Sequence, residues 1–364
     1  MIRQIYYDSI FRRDQLLVDP DLAEYAAWDV VLTTQENNSG EMQLTIPPSH
    51  PAYDLLSAMT TEIYYADDGE EQWRGRLIAA EADELTGNKK LTVKGIADYL
   101  HDTIVQLGTV SGAQTEALTA LLTAHNTACG GEIGKRFSVG TVTVSATVEY
   151  KGDQWQHPWD ILSAWTKTYG GRIVGRRDPS SGVRYIDWLT TETADLPVCQ
   201  QALEEGVNLL KLTDKVDGSG LVTRLYGYGK EINGTALTVE TVNNGLAYIE
   251  DAHAVAAFGV ITGILTKSDA EDPAQLLAAM QTELQKKVES ARELSANAVD
   301  LHDLGQAAQP FEVGYKVPVV ARRLPDNEML RVTKVQRQLF KPKNTKITLG
   351  ASARLASEMI RRSP

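Results

Sequence analysis

The chain has 364 residues, 43 % of them hydrophobic and 23 % charged, with a formal charge of −12. No apolar run approaches the roughly 20 residues of a membrane helix. Only two cysteines are present, Cys129 and Cys199, so composition points to an ordinary globular protein of several domains, made in a reducing cytoplasm and without a disulfide framework.

Charge is unevenly spread. Residues 331–364 hold nine Lys/Arg against one Glu, hence +8, which leaves −20 for residues 1–330. An acidic body argues against nonspecific DNA binding, because that affinity comes from neutralising phosphates with Lys and Arg. The basic end reads as a solvated strand face and tail, or as a surface for an acidic partner.

The first hundred residues read mostly as strands. Met1 to Asp8 alternates, as do Trp28–Thr34 and Glu41–Ile46, the last stopping at Pro47-Pro48. Ala52 to Met59 suggests a short helix. Glu62–Tyr65 and Gln72–Ile78 flank Asp67-Asp68-Gly69-Glu70-Glu71, a hairpin with Asp-Gly at its tip. Those four carboxylates lack the spacing of a calcium loop.

Residues 101–204 change character. Leu118, Leu121, Leu122, His125 and Cys129 recur at helical spacing, and Gly130-Gly131 ends that helix. His125 and Cys129 have no third ligand at metal-site spacing, so a buried thiol beside a histidine is expected. A strand pair is expected over Val139–Tyr150. Pro158 to Tyr169 makes a helix, with Pro158 at its first position and Gly170-Gly171 behind it. Arg172–Arg177 and Val183–Leu189 form a further hairpin. Trp165 and Trp188 are expected in the core, whereas a sugar-binding reading would use them with Trp155 and Trp159 as stacking faces.

After residue 205 the stretch GLVTRLYGYGKEINGTALTVE (220–240) raises a specific question, since Gly227, Gly229 and Gly234 surround a lysine. A phosphate loop joins a strand to a helix. Here the spacing fits no nucleotide motif, and the β-branched run from Thr235 to Val242 reads as a strand. Asn233-Gly234 therefore predicts a hairpin. Asp272-Pro273 opens one long helix, Ala274 to about Leu294. Ala298–Leu301, Glu312-Val313, Lys316–Val320, Leu330–Leu339 and Lys346–Leu349 are candidate strands.

No catalytic constellation emerges. The chain lacks HExxH and CxxC, Gly218-Ser219-Gly220 has the wrong frame for a nucleophile elbow, and the six histidines are scattered. Adjacent acids such as Glu204-Glu205 carry no information, because a general acid is recognised by its environment. The sequence gives no reason to assign catalytic, cofactor-binding or metal-binding residues.

The ordered segments resemble a known family. WRGRLIAAEADELTGNKKLTVKGIADYLHDT (73–103), YGGRIVGRRDPSSGVRYIDWL (169–189) and NLLKLTDKVDGSGLVTRLYGYGKEING (208–234) resemble segments of siphophage tail-associated hub proteins, the prophage endopeptidase tail family, which is similar to the central hub of contractile-phage baseplates. YIED (248–251), FGVI (258–261), VDL (299–301), FEVGYKV (311–317) and ITLG (347–350) follow in the family's order. Gly227 stands where the family often has proline, and Tyr315 where aspartate is common.

The resemblance implies an α+β, β-rich architecture: a first tube-like β-barrel (1–100), an inserted α+β domain (101–204), a second barrel-like domain with an appended helical segment (205–350, helix about 273–294) and a C-terminal tail (351–364). It implies a structural, non-enzymatic homotrimer at the virion tail tip, assembled in the bacterial cytoplasm without cofactors. Its expected neighbours are the distal tail protein or tube ring, the tape-measure C-terminus and receptor-binding or fibre proteins, with DNA only in transit. A receptor- or glycan-binding tip protein is the alternative. A peptidoglycan endopeptidase is less favoured, because no hydrolase module follows Gly350 in this sequence.

Overall fold

The structure is a computed structural model describing residues 2–192, 194–216, 218–232, 234–268, 270–289, 292–306, 309–322, 328–341 and 345–350. The expected tail, 351–364, and with it part of the basic end, lies outside the described residues. The chain is β-rich with few helices, and it divides into two compact units, residues 1–210 with 297–347, and residues 211–296 with 348–364.

In the first unit the strands are β1 (Arg3–Asp8), β2 (Gln15–Val18), β3 (Trp28–Gln35), β4 (Glu41–Ile46), β5 (Glu62–Asp67), β6 (Glu70–Ala82) and β7 (Lys89–Gly95). Then follow β8 (Gly108–Ala113), helix α1 (Gln114–Ala128), β9 (Ser138–Val142), β10 (Thr147–Gly152), α2 (Pro158–Tyr169), β11 (Arg172–Arg177), β12 (Arg184–Leu189) and β13 (Leu203–Glu204). Strand β14 (Leu209–Val216) leads into the second unit. That unit holds β15 (Arg224–Tyr228), β16 (Glu231–Ile232), β17 (Thr235–Ala236), β18 (Tyr248–Glu250), α3 (Ala252–Phe258), β19 (Thr262–Thr266), α4 (Pro273–Glu289) and most of β20 (Arg292–Ala298). Strands β21 (Lys316–Val320), β22 (Glu328–Gln338) and β23 (Thr345–Gly350) close the described chain.

The main sheet of the first unit runs β23-β22-β3-β4-β7-β6-β5-β1-β2, with β21 beside β22. Every strand from β3 to β1 is antiparallel to its neighbours. The β5–β6 turn carries Asp68 and Gly69 at φ 47° and 85°, the two positive values a tight hairpin needs. Alternation sends Leu32, Met42 and Val93 inward along one row, with Leu77 beside them. The sheet curls enough to bring its distant parts together: Arg3 of β1 donates to the Leu339 carbonyl just past β22, at 3.1 Å. Leu339 joins Ile5, Leu17, Leu44 and Ile63 in one core.

A second core lies in the α+β segment. Helix α1 buries Leu118, Leu121, Leu122 and His125 as its spacing predicts, and Gly130 follows it at φ 59°. Helix α2 starts with Pro158 and stops at Gly170, whose φ of 78° a side chain would resist. Trp165 and Trp188 stack there with centroids 6.0 Å apart.

Several expectations change. Residues 52–59 form no helix; single-turn bonds such as Tyr53 N–H to His50 C=O and Leu55 N–H to Ala52 C=O do not propagate. The strands in 139–150 do not pair with each other. Strand β10 joins β8, and β9 runs parallel to β12, because both are recruited by the two-helix layer rather than by their shared turn. The run Thr235–Val242 is a strand only at Thr235–Ala236; beyond it the chain turns, with Val239 buried in the core. Helix α4 ends at Glu289, and Leu294 belongs to β20. Val299 to Leu301 follow that strand without extending it.

The glycine stretch takes a structural role in the second unit. Glu231 pairs with Ala236 and Ile232 with Thr235 across the predicted turn, and Gly234 has φ 81°; Asn233 lies outside the described residues. Asp272 caps α4 by accepting from the Ala274 and Gln275 N–H groups, both at 2.9 Å. Strand β15 carries Gly227 against this helix: a Cβ there would lie 2.2 Å from Met280 Sδ and 2.8 Å from its Cγ. The missing side chain lets the helix approach the strand. Gly227→Val is expected to destabilise this unit by about 1–3 kcal/mol, and Met280→Ala to relieve part of that in the double variant. Urea titration of the three proteins checks it, and equal midpoints for wild type and Gly227→Val contradict it.

Candidate functional site

Opposite the main core, the sheet presents a polar face. Cross-strand partners share a face, so the register builds its rows. One row is Gln336, Thr33, Glu41, Lys94 and Arg76. A second is Gln338, Val31, Gln43, Thr92 and Ala79, and a third is Trp28, Thr45, Lys90 and Glu81. The β3-β4-β7 part is half-exposed and mixes Thr33, Gln43, Thr45 and Thr92 with charged residues and with Trp28 and Val31. Lys94 pairs there with Glu41. Lys90, and Lys334 in the next row on β22, leave this face slightly basic, so the acidity of residues 1–330 is not concentrated on it.

The first row continues through Arg76 to Glu62 and Asp8. Here the same face is covered, and arginines replace Thr and Gln. Arg74 donates to Asp8 (2.7 Å), Glu62 (3.2 Å) and Glu71 (2.7 Å), and lies 4.3 Å over the Tyr64 ring. Arg76 forks onto Asp102 at 2.6 and 2.8 Å and stacks on Tyr99. Tyr99 donates to Glu62 at 2.7 Å, and Arg184 from β12 pairs with the same carboxylate. Arg177 reaches Glu71 at 3.4 Å. The guanidinium fork and flat face suit such shared, stacked pairing. The network fastens the α+β segment to the sheet.

A second charged group lies behind a cleft of about 390 Å³ whose lining includes Asp67, Arg172, His302, Glu312 and Arg337. Asp300, fully buried, accepts from Gln201 (2.7 Å) and from the His302 and Phe311 N–H groups (both 3.1 Å). Arg337 lies 3.5 Å from it. Arg3 pairs with Asp303 and sits 3.5 Å from Asp67, which also accepts from Tyr65 at 3.0 Å. Burial pushes Asp303 and Glu312 above the usual carboxylate range and Arg172 below its own. Acids and arginines here neutralise one another across strands and loops, which is chemistry suited to holding elements in register.

These pairings set a pH dependence. In Asp8, Asp98, Asp102 and Glu41 burial is the largest influence and pushes the pKa up. Hydrogen bonds outweigh it and leave each lowered: from the Asp14 N–H and Arg74, from His101 and Arg76, from Arg76 and Lys135, and from Lys94 and Gln43, respectively. A depressed folded pKa gives stability present above the unfolded value and lost as pH falls through the folded one. Asp303 and Glu312 act oppositely: their contribution is present below the unfolded pKa and fades as pH rises. The lowered carboxylates, which also include Asp68, Asp83 and Asp178, outnumber the two raised ones, so the melting temperature is expected to fall as pH drops from about 5 to about 3. A level profile across that window contradicts the assignment.

The residues singled out in the sequence take plain positions. His125 Nε2 bonds to the Lys135 carbonyl at 3.0 Å, and Nδ1 to the Thr103 hydroxyl at 2.7 Å. Cys129 Sγ lies 3.5 Å from that ring, and burial raises its pKa. No group of three or more His, Cys, Asp or Glu side chains able to hold a metal occurs among the described residues. Of the hairpin carboxylates, Asp67 and Glu71 are drawn into the two networks and Asp68 accepts from the Ile2 N–H at 2.7 Å. Trp165 and Trp188 are buried, which removes two of four possible sugar-stacking faces, while Trp155 is 66 % exposed. The networks had no local signal in the sequence, since Arg74–Asp8 and Arg184–Glu62 join residues 66 and 122 positions apart.

The comparisons agree with the architecture. Residues 199–359 match the family model described as prophage endopeptidase tail. No curated protein matches the chain. Among solved structures, the 43 kDa tail protein of prophage MuSo2 from Shewanella oneidensis aligns at a TM-score of 0.67 and 12 % identity, covering 96 % of this chain and 98 % of that one. A tail protein from Neisseria meningitidis aligns at 0.65 and 10 % identity over 99 % of both chains. A prophage tail protein from Listeria monocytogenes aligns at 0.60 and 13 %, covering 98 % and 97 %. The chain has the fold of prophage tail proteins, and the resemblance drawn from its segments holds.

Proposed function

We propose that the chain is a structural component of a phage tail, the hub that closes the distal end of the tail tube as a homotrimer and carries the tip. The carrying observation is the curled sheet with a polar face that holds no excess of acids, within a fold shared over nearly the whole chain with prophage tail proteins. Strands β22 and β3, from the two expected barrels (1–100 and 205–350), hydrogen-bond in one sheet, which supports reading the two barrels as one continuous wall. Three chains then supply six barrels, matching a hexameric tube. A polar wall with few charges neither grips nor strongly repels passing DNA. The neighbours would be the distal tail protein or tube ring above, with tape-measure and receptor-binding or fibre proteins attached.

Images of purified tails with the chain labelled test this. Three copies at the distal end support the hub, and labelling along the tail shaft or none in the particle overturns it. Cell-wall zymography is expected to show no lytic band from this chain.

A further inference from the structure

Two surfaces of the first unit are complementary, one of them at the outer edge of the Arg74 network, where Arg177 and Arg184 already meet Glu71 and Glu62. One is a cleft of about 710 Å³ into which four arginines converge: Arg13 from the β1–β2 loop, Arg136 from the α1–β9 loop, and Arg177 and Arg184 from the β11–β12 hairpin. Arg184 is nine-tenths buried and pairs with Glu62 through Nη2, while its buried Nη1 has no hydrogen-bond partner. Arg13 is three-quarters exposed, with only a 3.4 Å contact to Asp8. Beside Arg13 in the same loop, Ile10 and Phe11 are 70 % and 92 % exposed.

The other surface is the β6–β7 loop. Asp83 and Glu84 are exposed there, as is Glu81 at the end of β6 opposite Lys90, and among the described residues no ion pair engages Glu81 or Glu84. Asp83 shapes the loop by accepting from the Leu85 and Thr86 N–H groups at 3.0 and 2.7 Å. Leu85 is left 96 % exposed at the tip. An acidic loop with an apolar tip faces water on one part of the unit, and a basic cleft with an apolar rim faces water on another.

We propose that these are the two halves of a head-to-tail contact between copies of this chain, with Glu81 and Glu84 of one copy seated among Arg13, Arg136 and Arg184 of the next and Leu85 packed on Ile10 and Phe11. Donor and acceptor are different patches, so the contact is heterologous and builds a ring when its rotation closes. A polyanion such as DNA fits less well, since Asp8, Asp14 and Glu62 also line the cleft and residues 1–330 carry −20. A short segment with three carboxylates, one of them held by its own loop amides, brings far less charge to those acids than a polyanion does. The proposal deepens the trimeric part of the hub reading, but it rests on these surfaces and is tested separately.

Sedimentation of the full chain is the test, with melting curves confirming that each variant is folded. Glu81→Lys/Glu84→Lys and Arg13→Glu/Arg136→Glu are each expected to weaken self-association at least roughly tenfold, through like charges brought together. Mixing the two variants re-forms two of the three contacts of a trimeric ring, one with native and one with swapped signs, and is expected to restore association in part, above that of either variant alone. Unchanged association in both variants, or no recovery on mixing, overturns the contact while leaving a trimer intact. If the wild-type chain is monomeric alone, a synthetic peptide of residues 79–87 must bind it and not Arg13→Glu/Arg136→Glu. Failure to bind, or displacement of the peptide by a short oligothymidylate at equal concentration, overturns the proposal.

Discussion

Replacing Arg74 with Met is expected to cost about 3–5 kcal/mol, the loss seen when one partner of a buried charge set is removed, and to lower the melting temperature by roughly 10 °C. Arg74 is 3 % exposed and serves three carboxylates. Glu62 would keep Arg184 and Tyr99, and Glu71 would keep Arg177. Asp8 would keep the Asp14 N–H and the exposed Arg13 alone. Its charge is thus the most poorly compensated, and adding Asp8→Asn is expected to recover about 1 kcal/mol. Arg74→Lys should fall between, because an ammonium retains the charge but lacks the fork that spans Asp8 and Glu71. Thermal or denaturant melts decide the matter. A loss below about 1 kcal/mol for Arg74→Met would mean that water, not the arginine, stabilises these acids.

This network marks where sequence reading stops. Strand β4 was legible to the residue, because Glu41–Ile46 alternates and proline follows it. The caps of α2 and α4 were legible too, since Pro158, Gly170, Asp272 and Pro273 act on their own neighbours. Asp68-Gly69 fixed its hairpin by the same local logic. Partner choice is different. Strand β22 lies about 300 residues after β3, and nothing in either strand names the other. The strands within 139–150 looked like a hairpin by proximity, yet each pairs elsewhere because helices α1 and α2 need a sheet to cover. Arg74 and Arg76 are an ordinary strand pattern until folding brings Asp8 and Asp102 to them. The polar face was likewise invisible, because Thr33, Gln43, Thr92 and Gln336 become one surface only through the register.

The other large effect is expected at Trp188. It is fully buried, stacks on Trp165 at 6.0 Å with an 11° interplanar angle, and donates from Nε1 to the Gly170 carbonyl at 3.0 Å. That bond satisfies an acceptor at the C-terminal end of α2, where helix carbonyls lack partners. Gly171 is kept small by the same ring, since a Cβ there would lie 2.7 Å from Nε1. Trp188→Ala is expected to cost about 3–5 kcal/mol through lost burial and the cavity left behind. Trp188→Phe retains most of the stack and loses the indole N–H, so its expected cost is smaller, about 1–2 kcal/mol. Melting curves of the two variants check the order. The same pair separates a core residue from a sugar platform. A platform would give Trp188→Ala a nearly unchanged melt and weaker glycan binding. A core residue gives a large drop in melting temperature for Trp188→Ala and a partial one for Trp188→Phe, with the exposed Trp155 insensitive to the same replacement.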